Sequence, residues 1–298
     1  DVNEPVYFHQ FVERAAGHGL QYLAEAEVHT MAPWRFPDKV AAAVARLSSN
    51  CIELEQFLDF VRNRKFRQTL LCHADVALER KVGPERLTDL YVASALRPES
   101  PDLDVRSNRE DRFRSPRGHG PTTTDPLLKA ALVHLAEHWP QAVPFTALAG
   151  AARAGLGAGG AQGPFGRADD EQTLGKSLLQ LYSANMVELH ARPLPFAREV
   201  AERPLASPLA RRQAVAGPVV TNLRHESVSV SAWQRQALCL LDGSRNRAAL
   251  LDQLPAPDPS TAPNEGQPSP SPGAALEQCL ADFAGKAFFL CSPGRPAQ

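Results

Sequence analysis

Apolar residues recur at helical spacing near the start of the chain, where Tyr7, Phe8, Phe11, Val12 and Ala15 share one face. Gly17 and Gly19 mark the stop of that helix. The stretch "LQYLAEAEV" at 20–28 then alternates as a strand does. Helices are predicted over 38–47 and, more strongly, over 52–64, where Leu54, Phe57, Leu58 and Val61 make the buried stripe. "KFRQTLLCH" at 65–73 alternates again, with Phe66, Gln68, Leu70 and Cys72 on one face, and "LTDLYVASAL" at 87–96 reads as a further strand. Residues 1–96 are therefore a mixed α and β region.

The remainder carries a repeat. "LLKAALVHLAEHWP" (127–140), "PFTALAGAAR" (144–153) and "LGKSLLQLYSANMVELH" (174–190) are matched by "WQRQALCLLDGSRN" (233–246), "RAALLDQL" (247–254) and "LEQCLADFAGKAFFLC" (276–291). Each copy is a helix, a turn, a short helix, an insertion, a third helix and a closing strand. Leu179 falls with Leu280, Tyr182 with Phe283, Val187 with Phe288, and Leu189 with Leu290. Three helices closed by a short strand are the plan of a winged helix. The predicted fold class is mainly α with short strands, an α+β chain. A mixed region at 1–96 leads to one winged-helix-like unit at 97–195 and a second at 196–298.

Two joints interrupt this pattern. Residues 97–126 are rich in Pro, Arg, Asp and Ser and read as a linker with an edge strand. Residues 255–273 hold seven prolines and no large apolar residue, so a disordered loop is predicted there. A third such place runs from about Gly155 to Asp170, and the stretch "RAGLGAGGAQG" at 153–163 holds a literal G-x-G-x-x-G in Gly155, Gly157 and Gly160. A dinucleotide fingerprint must follow a strand and open a helix. This one follows a helix, and it reads as an insertion between helices.

A net charge of -1 argues against a polyanion as the main partner. No apolar run approaches the roughly 20 residues of a membrane span, and no secretory leader is visible, so a cytoplasmic location is expected. The chain begins at Asp1 without an initiator Met, as a piece of a longer protein would. Cys51, Cys72, Cys239, Cys279 and Cys291 are odd in number and form no C-x-x-C, which speaks against a disulfide framework or a zinc site.

Several stretches resemble the methyltransferase regulatory domain family of rickettsial-type protein-lysine methyltransferases. They are "YFHQFVERAAGHGLQYLAEAEV" (7–28), "EQFLDFVRNRKFRQTLLCH" (55–73), "RPLASPLARRQA" (203–214), "VTNLRHESVSVS" (220–231) and "LLDGSRNRAALL" (240–251). The resemblance implies winged-helix-like parts after a seam at the start of the chain. It also implies a non-catalytic regulatory or substrate-recognition region, separated from a catalytic domain that carries S-adenosylmethionine. On that expectation the chain is not itself an enzyme and holds no cofactor. Its partners are the S-adenosylmethionine-binding catalytic domain and a protein substrate, with no membrane and no nucleic acid.

Phe57, Phe60 and the run Arg62, Asn63, Arg64, Lys65 and Arg67 are the candidate interaction surface, suited to an acidic partner or equally to a solvated helix end. Arg224 and His225, beside Glu226, could hold an anion or tie the second segment to the third. His134 and His138 lie four apart, as two zinc ligands would, but no third ligand is visible and half-buried histidines are the simpler account. Cys72 and His73 are strand neighbours and point to opposite faces, which favours a structural Cys over a nucleophile with its base. Ser207 lies outside any G-x-S-x-G elbow. The alternative function is a tandem winged-helix nucleic-acid binder. Its third helices are poorly equipped, with Lys176 alone in 174–182, and Glu277 and Asp282 without any cation in 275–283.

Overall fold

The side chain of Asn50 accepts hydrogen bonds from the backbone N–H of Ile52 at 2.9 Å and Glu53 at 3.0 Å, and so starts a helix where the chain would otherwise leave two donors unpaired. That helix belongs to the first of two compact units, residues 1–84 with 175–185. The computed structural model describes residues 4–31, 36–80, 82–157, 167–194, 196–256 and 271–290.

In the first unit, helices α1 (Phe8–Ala16), α2 (Asp38–Leu47) and α3 (Cys51–Arg62) pack with an antiparallel ribbon of β1 (Leu20–Glu25) and β2 (Thr69–His73). The ribbon pairs Leu20 with His73 and Glu25 with Thr69, with one irregularity between Tyr22 and Ala24. Phe8 and Tyr22 meet edge to face, with ring centroids 5.0 Å apart, over buried Leu58 and Val44. Helix α3 stops two residues before the position expected, because Asn63 turns left-handed at φ 51. The buried stripe of α3 also differs from the periodic reading. Leu58 is fully buried, Val61 is exposed, and Glu55 and Gln56 are buried in its place. The helix is rotated to carry a charged edge inward, for the reason given below.

The second unit comprises residues 85–174 and 186–298. Strand β3 (Tyr91–Ala93) lies between β7 (Val143–Pro144) and β8 (Glu188–His190), both antiparallel to it. This unit also holds α4 (Pro126–His138) and α5 (Phe145–Gly155), while α6 (Arg167–Ser183) begins here and its residues from 175 on count with the first unit. The last segment repeats the arrangement with α8 (Ala232–Leu240), α9 (Arg247–Gln253) and α10 (Pro272–Gly285). There Leu205 and Ala206 bridge to Asp242 and Phe289, as β3 pairs with β7 and β8. Its hydrophobic core gathers Leu238, Leu250, Leu276, Leu280, Phe283 and Phe288 under α7 (Pro208–Ala216) and the hairpin of β9 (Val219–Thr221) and β10 (Ser227–Ser229). The fold class is α+β, mainly helical, as expected.

The stretch expected as a linker is folded. Strands β4 (Arg97–Pro98), β5 (Asp111–Arg114) and β6 (Thr122–Thr123) form a small sheet, and Phe113 is fully buried. Lys129 of α4, itself fully buried, donates to the carbonyls of Ser107 and Arg109 and to Asp111 at 2.6 Å. Composition hid this because a single lysine in a neighbouring helix supplies the partners. A β-carbon at Gly120 would lie 1.8 Å from the Phe113 carbonyl oxygen, so the β5–β6 turn needs glycine there. Most of the predicted disordered loop, 257–270, and also Gly160 and Cys291 lie outside the described residues.

Candidate functional site

The left-handed turn at Asn63 brings the chain back along α3, and the Arg64 N–H bonds the Asp59 carbonyl at 2.9 Å. Arg67 is thereby set against three carboxylates. Its Nη1 donates to Glu25 at 2.5 Å, its Nη2 to Glu55 at 3.1 Å and its Nε to Asp59 at 2.9 Å. The planar guanidinium lies over the Phe8 ring, 3.7 Å from its centroid. Arg64 adds a contact to Asp59 at 3.4 Å and donates to the Thr30 carbonyl at 2.6 Å. Thr69 donates its hydroxyl to Glu25 at 3.1 Å, so β1, β2 and α3 all meet in one charged knot. The Arg67 and Glu55 side chains keep only 12% and 6% of their surface exposed.

Burial shifts the protonation of these groups. Desolvation pushes the Glu55 carboxyl up, and the attraction of Arg67 and Arg64 offsets this only in part. Burial works against the Arg67 charge too, but the hydrogen bond and charge of Asp59, followed by Glu25 and Glu55, hold its pKa above the usual arginine value. Hollows flank the knot. One of about 460 Å³ is walled by Val6, Phe8, Phe11, Asp59, Lys65 and Phe66 among others, and one of about 390 Å³ by His29, Thr30, Phe36, Arg62 and Arg64.

The candidate surface residues separate accordingly. Arg64 and Arg67 face inward, Arg62 is half-buried with its guanidinium 4.7 Å from the Phe36 ring centroid, and Phe57 is half-buried. Asn63 and Lys65 are exposed, and Phe60 is exposed with Tyr7 edge-on at 5.9 Å. The sequence reading missed the acidic half, Glu25, Glu55 and Asp59. Glu55 and Asp59 stand four apart and so share a helix face, which was the available signal. Glu25 is 42 residues from Arg67 and left none.

Arg224 and His225 belong to the second unit. Arg224 binds Glu188 of β8 and Glu226 at 3.4 Å, and lies over Trp139 at 4.3 Å. Its guanidinium thus joins the β9–β10 turn to the middle segment, while His225 sits exposed in that turn at φ 61. Burial would raise the Glu188 pKa, but the hydrogen bond from His190 and the charge of Arg224 outweigh it and hold the pKa low. A group with a depressed folded pKa contributes stability that is lost as pH falls through that pKa. Arg224→Ala is therefore expected to move the Glu188 titration upward, which carboxylate NMR would follow. An unmoved Glu188 titration would mean that the tie does not operate in solution.

The His134 and His138 rings are tilted by 36° with centroids 4.1 Å apart, and the His138 Nδ1 lies 2.7 Å from the His134 carbonyl oxygen. Burial and the neighbouring His138 press the His134 pKa down. In the glycine-rich stretch Gly155 ends α5, and Gly157 follows at φ 70 against the Arg106 side chain.

Residues 1–73 match the predicted methyltransferase regulatory domain family, and residues 202–288 match the PKMT C-terminal winged helix domain. An uncharacterized Rickettsia prowazekii protein is 27% identical over 261 residues, which is 85% of this chain and 45% of that protein. A second from the same organism is 37% identical over 86 residues, 27% of this chain and 34% of its own length. The structure of PKMT2 from Rickettsia typhi in complex with AdoHcy superposes with a TM-score of 0.79 at 25% identity, covering 97% of this chain and 59% of that one. The chain thus spans less than half the length of these curated relatives and about three fifths of PKMT2.

These findings correct three expectations: a non-catalytic half, a chain that is not an enzyme, and a chain without a cofactor. Each had rested on the family resemblance, carried chiefly by 55–73, together with the seam-like start and the lack of a glycine-rich loop in its usual setting. The finding that overturns them is the match of 97% of this chain to 59% of a methyltransferase chain solved with AdoHcy. Among the described residues no helix is long and apolar enough to cross a membrane.

Proposed function

We propose that this chain, with its methyltransferase regulatory domain at 1–73 and its PKMT winged helix at 202–288, works as an S-adenosylmethionine-dependent protein-lysine methyltransferase. The observation that carries the reading is the superposition with PKMT2 in complex with AdoHcy over 97% of the chain. When bound, the cofactor supplies an electrophilic methyl group to a lysine amine. The 460 Å³ hollow has the size of a small-molecule site and an aromatic wall. Its one carboxylate, Asp59, is already engaged by Arg64 and Arg67, so no residue there is assigned to the methyl donor and no step is routed through it. The exposed Phe60, Asn63 and Lys65 are the part of the candidate surface open to a protein substrate.

Calorimetric titration with AdoHcy, with transfer of labelled methyl from S-adenosylmethionine to a lysine-bearing protein, tests the reading. Saturable one-to-one binding is expected. No heat and no transfer, even with the length of PKMT2 that this chain does not span supplied as a second polypeptide, would overturn it.

A further inference from the structure

We infer that His134, Glu137 and His138 form a binding site for a divalent transition-metal ion at the C-terminal end of α4. The three residues stand at i, i+3 and i+4 and so project from one helix face, and their ligand atoms all lie within 4.8 Å of one another. Among the described residues this is the group of His, Cys, Asp and Glu side chains placed closely enough to share an ion. Glu137 is the third ligand that the two histidines alone did not reveal.

The hydrogen bonding selects the ligand atom. His138 Nδ1 lies 2.7 Å from the His134 carbonyl oxygen, a group that can only accept, so Nδ1 carries the proton and Nε2 keeps its lone pair free. A ligating histidine is ordinarily held by such a bond from its other ring nitrogen, which fixes both tautomer and ring direction. The helix end adds to this, since its C-terminal partial charge favours a cation. Imidazole nitrogens with one carboxylate suit Zn²⁺, Ni²⁺ and Cu²⁺ rather than Mg²⁺ or Ca²⁺. Three protein ligands leave a coordination position open, as in sites that hold water or an exchangeable group, not in closed structural ones. Both histidines are half-buried and Glu137 is exposed, so an ion can enter from solvent.

Trp139 follows directly and supplies a probe, because Ni²⁺ and Cu²⁺ quench a nearby indole. The chelator-treated chain is titrated with Ni²⁺ by fluorescence and with Zn²⁺ by calorimetry. One-to-one binding is expected, weakened at least tenfold in His138→Ala and in His134→Ala, and several-fold in Glu137→Gln. Trp139→Phe should remove most of the quenching and leave the Zn²⁺ heat in place. The substitutions lie on a helix surface, and unchanged helical circular dichroism would show the variants folded. His9→Ala is the control that keeps the affinity. Equal Zn²⁺ affinity in the wild type and the His134→Ala, His138→Ala double variant would overturn the site, as would the absence of saturable binding in the wild type.

Discussion

Replacing Arg67 with alanine is expected to remove about 3–5 kcal/mol of stability from the first unit, the range found when one partner of a buried ion pair is lost. The side chain meets Glu25, Glu55 and Asp59 at 2.5, 3.1 and 2.9 Å, and without it Arg64 is the remaining cation of the knot, with contacts to Glu25 and Glu55 that are 3.9 Å long. Lysine cannot substitute, because a point charge lacks the planar fork that serves three acceptors and stacks on Phe8. Arg67→Lys should therefore recover only a minor part of the loss. The pH dependence has a definite sign. Glu55 has a folded pKa above its ordinary value, so its contribution is fully present below the unfolded pKa and fades as pH rises through the folded one. Removing Arg67 raises that pKa further and makes the ionised form costlier. Urea unfolding of Arg67→Ala should show a larger deficit at pH 8 than at pH 5, and an equal deficit at both would show that Glu55 is not coupled to Arg67.

The same knot explains which parts of the fold the sequence made legible. Helical periodicity located α1, α2 and α3, since those patterns arise from residues a few positions apart. It misjudged which face of α3 turns inward, because Arg67, just beyond the helix, and Glu25, on the ribbon, decide that face and periodicity cannot see them. Val61 consequently stands exposed where the buried stripe would have placed it. A second failure has the same cause. The Pro- and Arg-rich stretch at 97–126 buries one large apolar side chain, Phe113, and its loop is held by Lys129, which donates to acceptors in it. The cofactor expectation failed differently. It relied on the family resemblance and on a short glycine motif out of its setting, whereas the likeness to PKMT2 is spread thinly, at 25% identity, over 97% of the chain.

The repeat was legible because it is written twice, and it supports a prediction that separates the two copies. Phe283 is almost fully buried and meets Phe288 and Phe289 edge to face, at 5.2 and 6.5 Å. Phe283→Ala should cost about 3–5 kcal/mol, the lost transfer energy plus the cavity left among Leu280, Leu276 and Phe288. Phe283→Leu keeps much of the volume but forfeits the ring contacts, and about 1–2 kcal/mol is expected. Tyr182 holds the corresponding place in the first copy but is only half-buried, so Tyr182→Ala should cost clearly less. Chemical denaturation of the three variants measures the difference. Equal losses at positions 182 and 283 would mean that both copies bury this position alike, and the inequality would show one helical plan with only its second copy closed into a full aromatic core.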